Sequence, residues 1–242
     1  MRLRPTRRRF IGLAGLFAAA LRPRSPAAAE AGVKHVVLLG DSIFDNAAYV
    51  SGPDVVRQVR RALPGDWQAT LLAVDGGTIA SIPRQLQGVP AGASHLVVSV
   101  GGNDALGYSG VLEEGARSMA EALARLAAIR EQFARDYAAM LDRVAAAGLP
   151  TAVCTIYDPR FDDPVRQRVG STGLTIFNDA ITRAAFARGL PLLDLRVMFS
   201  SAADYANAIE PSVQGGEKLA AAIGALVTKH DFTRGRSEIY VR

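Results

Sequence analysis

Apolar residues fall along this chain in two alternating rhythms. Short runs of Val, Ile, Leu and Ala at 35–40, 69–74, 95–100, 151–157 and 190–194 lack strict alternation, as strands buried on both faces should. Between them, apolar positions recur at helical spacing over about 54–63, 79–87, 113–147, 172–188 and 213–228. The alanine-rich stretch 113–147 predicts one long helix or two abutting ones. Thr172 or Ser171 is placed to cap the next helix, and Gly189 to close it. Strands alternating with helices predict an α/β fold, a doubly wound five-stranded parallel sheet in three α/β/α layers with strand order 2-1-3-4-5. Ligands of such sheets gather beyond the carboxyl ends of the strands. Ser42, Gly76, Asn103 and the loop Tyr157-Asp158-Pro159-Arg160 each follow a predicted strand and should converge there.

Charge changes the picture at one end only. The 242 residues carry a net charge of +5, yet residues 1–29 hold seven arginines (Arg2, Arg4, Arg7, Arg8, Arg9, Arg22, Arg24) and no acid. Without them 21 basic residues face 23 acidic ones, a net of −2, which gives the remainder no reason to seek a phosphate backbone. Nucleic-acid binding is therefore excluded as the function. Thr6-Arg7-Arg8-Arg9-Phe10-Ile11 matches the twin-arginine export pattern, an apolar stretch runs from Phe10 to Leu21, and Ala27-Ala28-Ala29 offers a cleavage site. The expectation is an export signal over 1–29 that engages the twin-arginine machinery, and one domain over 30–242 in the periplasm or outside a bacterial cell. The apolar stretch is too short and glycine-rich for a stable membrane span. Cys154 is the only cysteine, so no intrachain disulfide forms, and its apolar setting predicts a packed thiol.

Chemistry concentrates in three blocks. The first run breaks at Gly40-Asp41-Ser42, the second at Val74-Asp75-Gly76-Gly77-Thr78, and the third at Val98-Ser99-Val100-Gly101-Gly102-Asn103-Asp104. In this order, each at a strand end, they resemble the GDSL lipases and esterases, also called SGNH hydrolases, from about residue 34 to 228. The resemblance implies a flavodoxin-like fold and an ester hydrolase with no metal or cofactor. It implies Ser42 as nucleophile, with the backbone N–H of Ser42 and of Gly76 and the side-chain amide of Asn103 receiving the oxyanion. Asp41 and Asp104 read as local scaffold, binding turn backbone.

The fourth block departs from the family. Where Asp-x-x-His before a proline is usual, the chain reads Asn207-Ala208-Ile209-Glu210-Pro211. His35 and His95 open predicted strands and His230 follows the last helix, so none of the three is expected at Ser42. Glu210 then stands where the base should be, with Asn207 donating a hydrogen bond to its carboxylate. A glutamate is a weaker base than histidine by about 2 pKa units unless burial raises it. The opposite reading makes Glu210 a surface residue and catalysis lost. Asp204 and Tyr205 are the reserve candidates, and Arg160 either binds an anionic substrate group or pairs with Asp158, Asp162 or Asp163.

Two functions remain open at this point. One is an exported esterase acting on short acyl or acetyl esters, on a small-molecule or glycan substrate. The other is a non-catalytic binding protein that kept the pocket. Phosphate binding at the glycine turns fails, because neither turn carries G-x-G-x-x-G or a P-loop lysine.

Overall fold

A computed structural model describes residues 33–241, so the export signal expected over 1–29 lies outside the described residues. The strands are β1 (Lys34–Gly40), β2 (Trp67–Leu71), β3 (His95–Ser99), β4 (Thr151–Cys154), β5 (Leu192–Leu193) and β6 (Ile239–Tyr240). All pair in parallel in the order β2-β1-β3-β4-β5-β6. The order 2-1-3-4-5 expected from the apolar runs is present, extended by one strand. β6 was not anticipated because two residues carry no periodicity; it is held at the edge by pairing with Leu192 and Leu193.

The helices are α1 (Val55–Ala62), α2 (Ile82–Leu86), α3 (Gly102–Gly107), α4 (Met119–Ala145), α5 (Pro164–Phe186), α6 (Leu195–Met198) and α7 (Val213–Lys229). Successive side chains of β1 point to opposite faces. Val36 and Leu38 pack with Val55 and Val59 of α1 and Leu219 and Ile223 of α7. Val37 and Leu39 pack with Phe133 and Tyr137 of α4 and Phe177 and Ile181 of α5. Both faces are covered, which is why the strands read as continuous apolar runs.

Several boundaries differ from expectation: the strands expected over 69–74, 151–157 and 190–194 are Trp67–Leu71, Thr151–Cys154 and Leu192–Leu193, and two helices differ more. The helix expected over 113–147 is α4 alone, Met119–Ala145; a 3-10 turn over Ser109–Glu113 and a non-helical segment at 114–118 precede it. Helix α5 begins at Pro164 rather than near 172, capped by Asp163, whose carboxylate accepts the Arg166 N–H at 2.6 Å. Proline at the first helical position after an aspartate cap is a strong start signal. Ser171 and Thr172 are therefore interior residues, and Gly170 and Gly173 had interrupted the helical pattern. Gly189 does close the helix, with φ +65°. Cys154 is buried in β4 as expected.

Candidate active site

The nucleophile turn is built by close approach. Gly40 ends β1 at φ +140°, and a Cβ there would lie 1.8 Å from the Ser99 carbonyl oxygen of β3. Only glycine fits. Its amide is clamped by Gln85 of α2, which accepts the Gly40 N–H and donates to the Gly40 carbonyl, each at 2.8 Å. Past that clamp the chain coils: Phe44 N–H and Asp45 N–H both donate to the Asp41 carbonyl at 3.1 Å. Asp41 Oδ1 accepts the Ile43 N–H at 3.1 Å, the turn duty expected of it. Ser42 sits at the crest of this turn, lining a cavity of about 620 Å³ together with Asn103 and Glu210.

The second and third blocks are tied to each other. Asn103 donates from Nδ2 to the Gly77 carbonyl at 2.9 Å, which fixes its amide plane and leaves the other hydrogen free. The Asp104 carboxylate accepts the Ile79 N–H at 3.1 Å, so Asp104 is scaffold. Asp75 N–H donates to Asp45 Oδ2 at 3.0 Å, and Tyr49 donates its hydroxyl to Asp75 Oδ2 at 2.7 Å. Gly76 takes φ +74° and is exposed; unlike Ser42 and Asn103 it is not among the residues that line the cavity. Among the described residues, neither Ser42 N–H nor Gly76 N–H has an intramolecular acceptor. The Ser42 N–H and the oriented Asn103 amide, both on residues that line the cavity, are donors of the kind that can receive a developing oxyanion.

The fourth block is a braced loop. Ala206 N–H donates to the Glu210 carbonyl at 2.8 Å and Ser212 N–H to the Asp204 carbonyl at 2.9 Å. Tyr157 donates its hydroxyl to the Ile209 carbonyl at 2.6 Å, and Asn46 its amide to the Pro211 carbonyl at 3.1 Å. Asn207 acts differently from the sequence expectation. Its Oδ1 accepts the N–H groups of Ile209 and Glu210, at 2.9 and 3.0 Å, so it fixes the glutamate's backbone rather than its carboxylate. An Asx turn of this kind is the local preference of asparagine.

Glu210 itself is 4% exposed. Burial pushes its carboxyl up to about 7; the Ser42 hydroxyl beside it opposes that rise, and the negative charge of Asp75 adds to it. Its Oε2 has no hydrogen-bond partner. A buried carboxylate oxygen with nothing fixed upon it is costly as structure and useful as a proton acceptor. The surface-residue reading of Glu210 is thereby overturned. Asp41 is pushed up to about 8, chiefly by burial, against the Ile43 N–H, with the Glu210 and Asp104 charges adding.

The remaining candidates have other duties. Asp204 is wholly buried and paired with Lys218 Nζ at 2.7 Å, and Tyr205 donates its hydroxyl to the Asp158 carbonyl at 2.8 Å. Arg160 forms no ion pair with Asp158, Asp162 or Asp163. Its backbone N–H donates to the Ala208 carbonyl at 2.7 Å and its guanidinium lies 5.6 Å from the Tyr205 ring, so it braces the fourth block. His35 lies near the start of β1, five residues before Gly40 at the strand's other end and about 17 Å from it at ~3.3 Å per residue, whereas Ser42 lies past that far end. His95 and His230 both pack on Phe232, with ring centroids 5.3 and 4.7 Å from it, at the amino edge of the sheet. Burial lowers His95 to about 4. Nothing in the sequence marked the parts played by Gln85, Asn46 and Tyr49 beyond a polar residue inside an otherwise apolar pattern.

Comparison with known proteins identifies the family and the fold. The model of the GDSL-like lipase/acylhydrolase family matches residues 38–217. No curated protein sequence matches the chain. Among solved structures, phospholipase A1 from Streptomyces albidoflavus is 14% identical, with a TM-score of 0.59 over 83% of this chain and 100% of its own. The acetyl xylan esterase AlAXEase is 15% identical, with a TM-score of 0.61 over 80% of this chain and 99% of its own. An aryl esterase of M. smegmatis is 13% identical, with a TM-score of 0.58 over 81% and 98%. At these identities the likeness is one of fold.

Proposed function

Because the chain belongs to the GDSL-like lipase/acylhydrolase family, we propose that it is an exported serine ester hydrolase in which Glu210 replaces histidine as the base. The observation that carries this reading is the buried Glu210 carboxylate, which has the Ser42 hydroxyl beside it and an Oε2 without any hydrogen-bond partner. Histidine has a reference pKa of about 6.5, and a glutamate raised to about 7 matches it. Burial thus restores the basicity that the substitution removes.

The steps balance with these groups alone. Ser42 Oγ attacks the ester carbonyl as its proton passes to Glu210, and the oxygen becomes negative among the N–H groups of Ser42 and Gly76 and the Asn103 amide. The C–O bond to the alcohol then breaks, the alcohol leaves with the Glu210 proton, and the acyl group stays on Ser42. Water repeats the sequence, giving its proton to Glu210 and releasing the acid and free Ser42. A histidine base becomes a cation and needs an aspartate behind it. Protonated glutamate is neutral and needs none, which accounts for Asn207 serving the backbone instead.

The twin-arginine pattern of residues 6–11 supports export into the periplasm or beyond, and the small residues at 27–29 support removal of the signal. Among the described residues, no helix is long and apolar enough to cross a membrane. The test is turnover of p-nitrophenyl butyrate by the mature chain beside Ser42→Ala. Hydrolysis that disappears in the variant supports the reading; equal rates in both, at the buffer rate, refute it.

A further inference from the structure

The two sides of Ser42 differ in chemistry. On one side lie Asp45, Tyr49, Asp75 and Asn207, polar and open to solvent. On the other, the cavity of about 620 Å³ runs between the 3-10 turn Ser109–Glu113, α4 and α5, lined by Leu106, Leu112, Leu126, Ile129, Val169 and Phe177. Both helices begin on the carboxyl side of the sheet. There α4 continues its buried stripe of Phe133, Tyr137 and Met140 into Leu126, Leu123 and Met119, the last two 59% and 76% exposed. Of the charged residues along the wall, Asp163 caps α5, the Arg166 guanidinium lies 4.1 Å from the Phe161 ring, and Glu113 ends the 3-10 turn in an exposed position.

Resting on the hydrolase reading above, we propose that the natural ester carries an extended alkyl chain on its acyl side, and that this chain lies in the groove between α4 and α5. An acetyl methyl would take one methylene-sized share, roughly 30 Å³, whereas an eight-carbon chain takes about 240 Å³. The short acyl or acetyl ester anticipated from sequence leaves most of the apolar wall wet. Helix α5 also keeps glycine at 173 on the groove wall, where a helix interior disfavours it. A Cβ at Gly173 would meet nothing within 4 Å, so the missing side chain enlarges the groove rather than relieving a clash. The leaving alcohol must collect its proton from Glu210, which sits at the groove's end on the fourth block, next to the exposed Asn207 of the polar side. That places the alcohol towards solvent and the acyl chain in the groove.

The experiment is kcat/KM for p-nitrophenyl acetate, butyrate, octanoate and dodecanoate, with octyl acetate carrying the chain on the alcohol side. Each methylene that enters the groove should raise kcat/KM about fourfold, until the chain reaches its end. Gly173→Trp should lower the octanoate-to-acetate ratio at least tenfold, and Gly173→Leu, a substitution a helix favours, should lower it less. Ser42-dependent turnover that is flat across the acyl series or fastest on acetate would overturn the groove while leaving the hydrolase intact. A ratio that neither variant moves, or a gain confined to octyl acetate, would do the same. No Ser42-dependent turnover of any ester would remove the hydrolase reading, and this inference with it.

Discussion

Replacing Glu210 with glutamine should stabilise the protein in alkali while abolishing its chemistry. The carboxyl ordinarily titrates at 4.5 and in the fold at about 7. A pKa raised in the folded state means that folding favours the proton. The stabilisation it contributes is complete below about 4.5 and is lost as the pH climbs through 7. The full difference corresponds to roughly 3 kcal/mol, of which about 2 kcal/mol is lost between pH 5.5 and 8.5, less where water in the groove reaches the carboxylate. Glutamine has no proton to lose. The stability of Glu210→Gln relative to wild type should therefore rise by about 1–2 kcal/mol from pH 5.5 to 8.5, some 2–8 °C in midpoint for a domain of this size. Urea or thermal unfolding of both proteins at the two pH values measures it directly. A relative stability that stays constant, or falls as the pH rises, would show that the ionised carboxylate is well satisfied in the fold. The reasoning behind its basicity would then be wrong.

Two further outcomes follow from the same geometry. Asn103→Ala should lower kcat by about 10²–10³ with KM little changed, because the amide meets the oxygen only once it is negative; steady-state kinetics on one ester decides it, and a change confined to KM would refute it. Lys218→Met should cost about 3–5 kcal/mol, since it strands the wholly buried Asp204 without its cation. Equilibrium denaturation measures that loss, and a cost under about 1 kcal/mol would show that the Ser201 N–H and Gln214 amide hold Asp204 unaided.

Much of this was legible because it is local. Apolar runs covered on both faces announce parallel strands, and Gly40, Gly76 and Gly101 stand where φ is positive and the chain must turn. The fourth block was legible only in part. That Glu210 occupies the base position follows from its spacing before Pro211, but its burial depends on Tyr157, Asn46 and Arg160, which approach from distant segments. Asn207 was misread because an Asx turn and a side-chain contact use the same residue at the same spacing. The start of α5 was hidden by two glycines whose purpose lies outside the helix. The groove was not legible, since it is a space between α4 and α5 rather than a pattern within either.

The central claim is that Glu210 activates Ser42, and the rate at which a fluorophosphonate labels Ser42 as a function of pH tests it without assuming a substrate. The account predicts a wild-type rate that rises through a single pKa near 7, and a Glu210→Gln rate lower by about 10²–10⁴ with that rise gone. A variant that is labelled as fast as wild type, or that keeps the same pH profile, would contradict it.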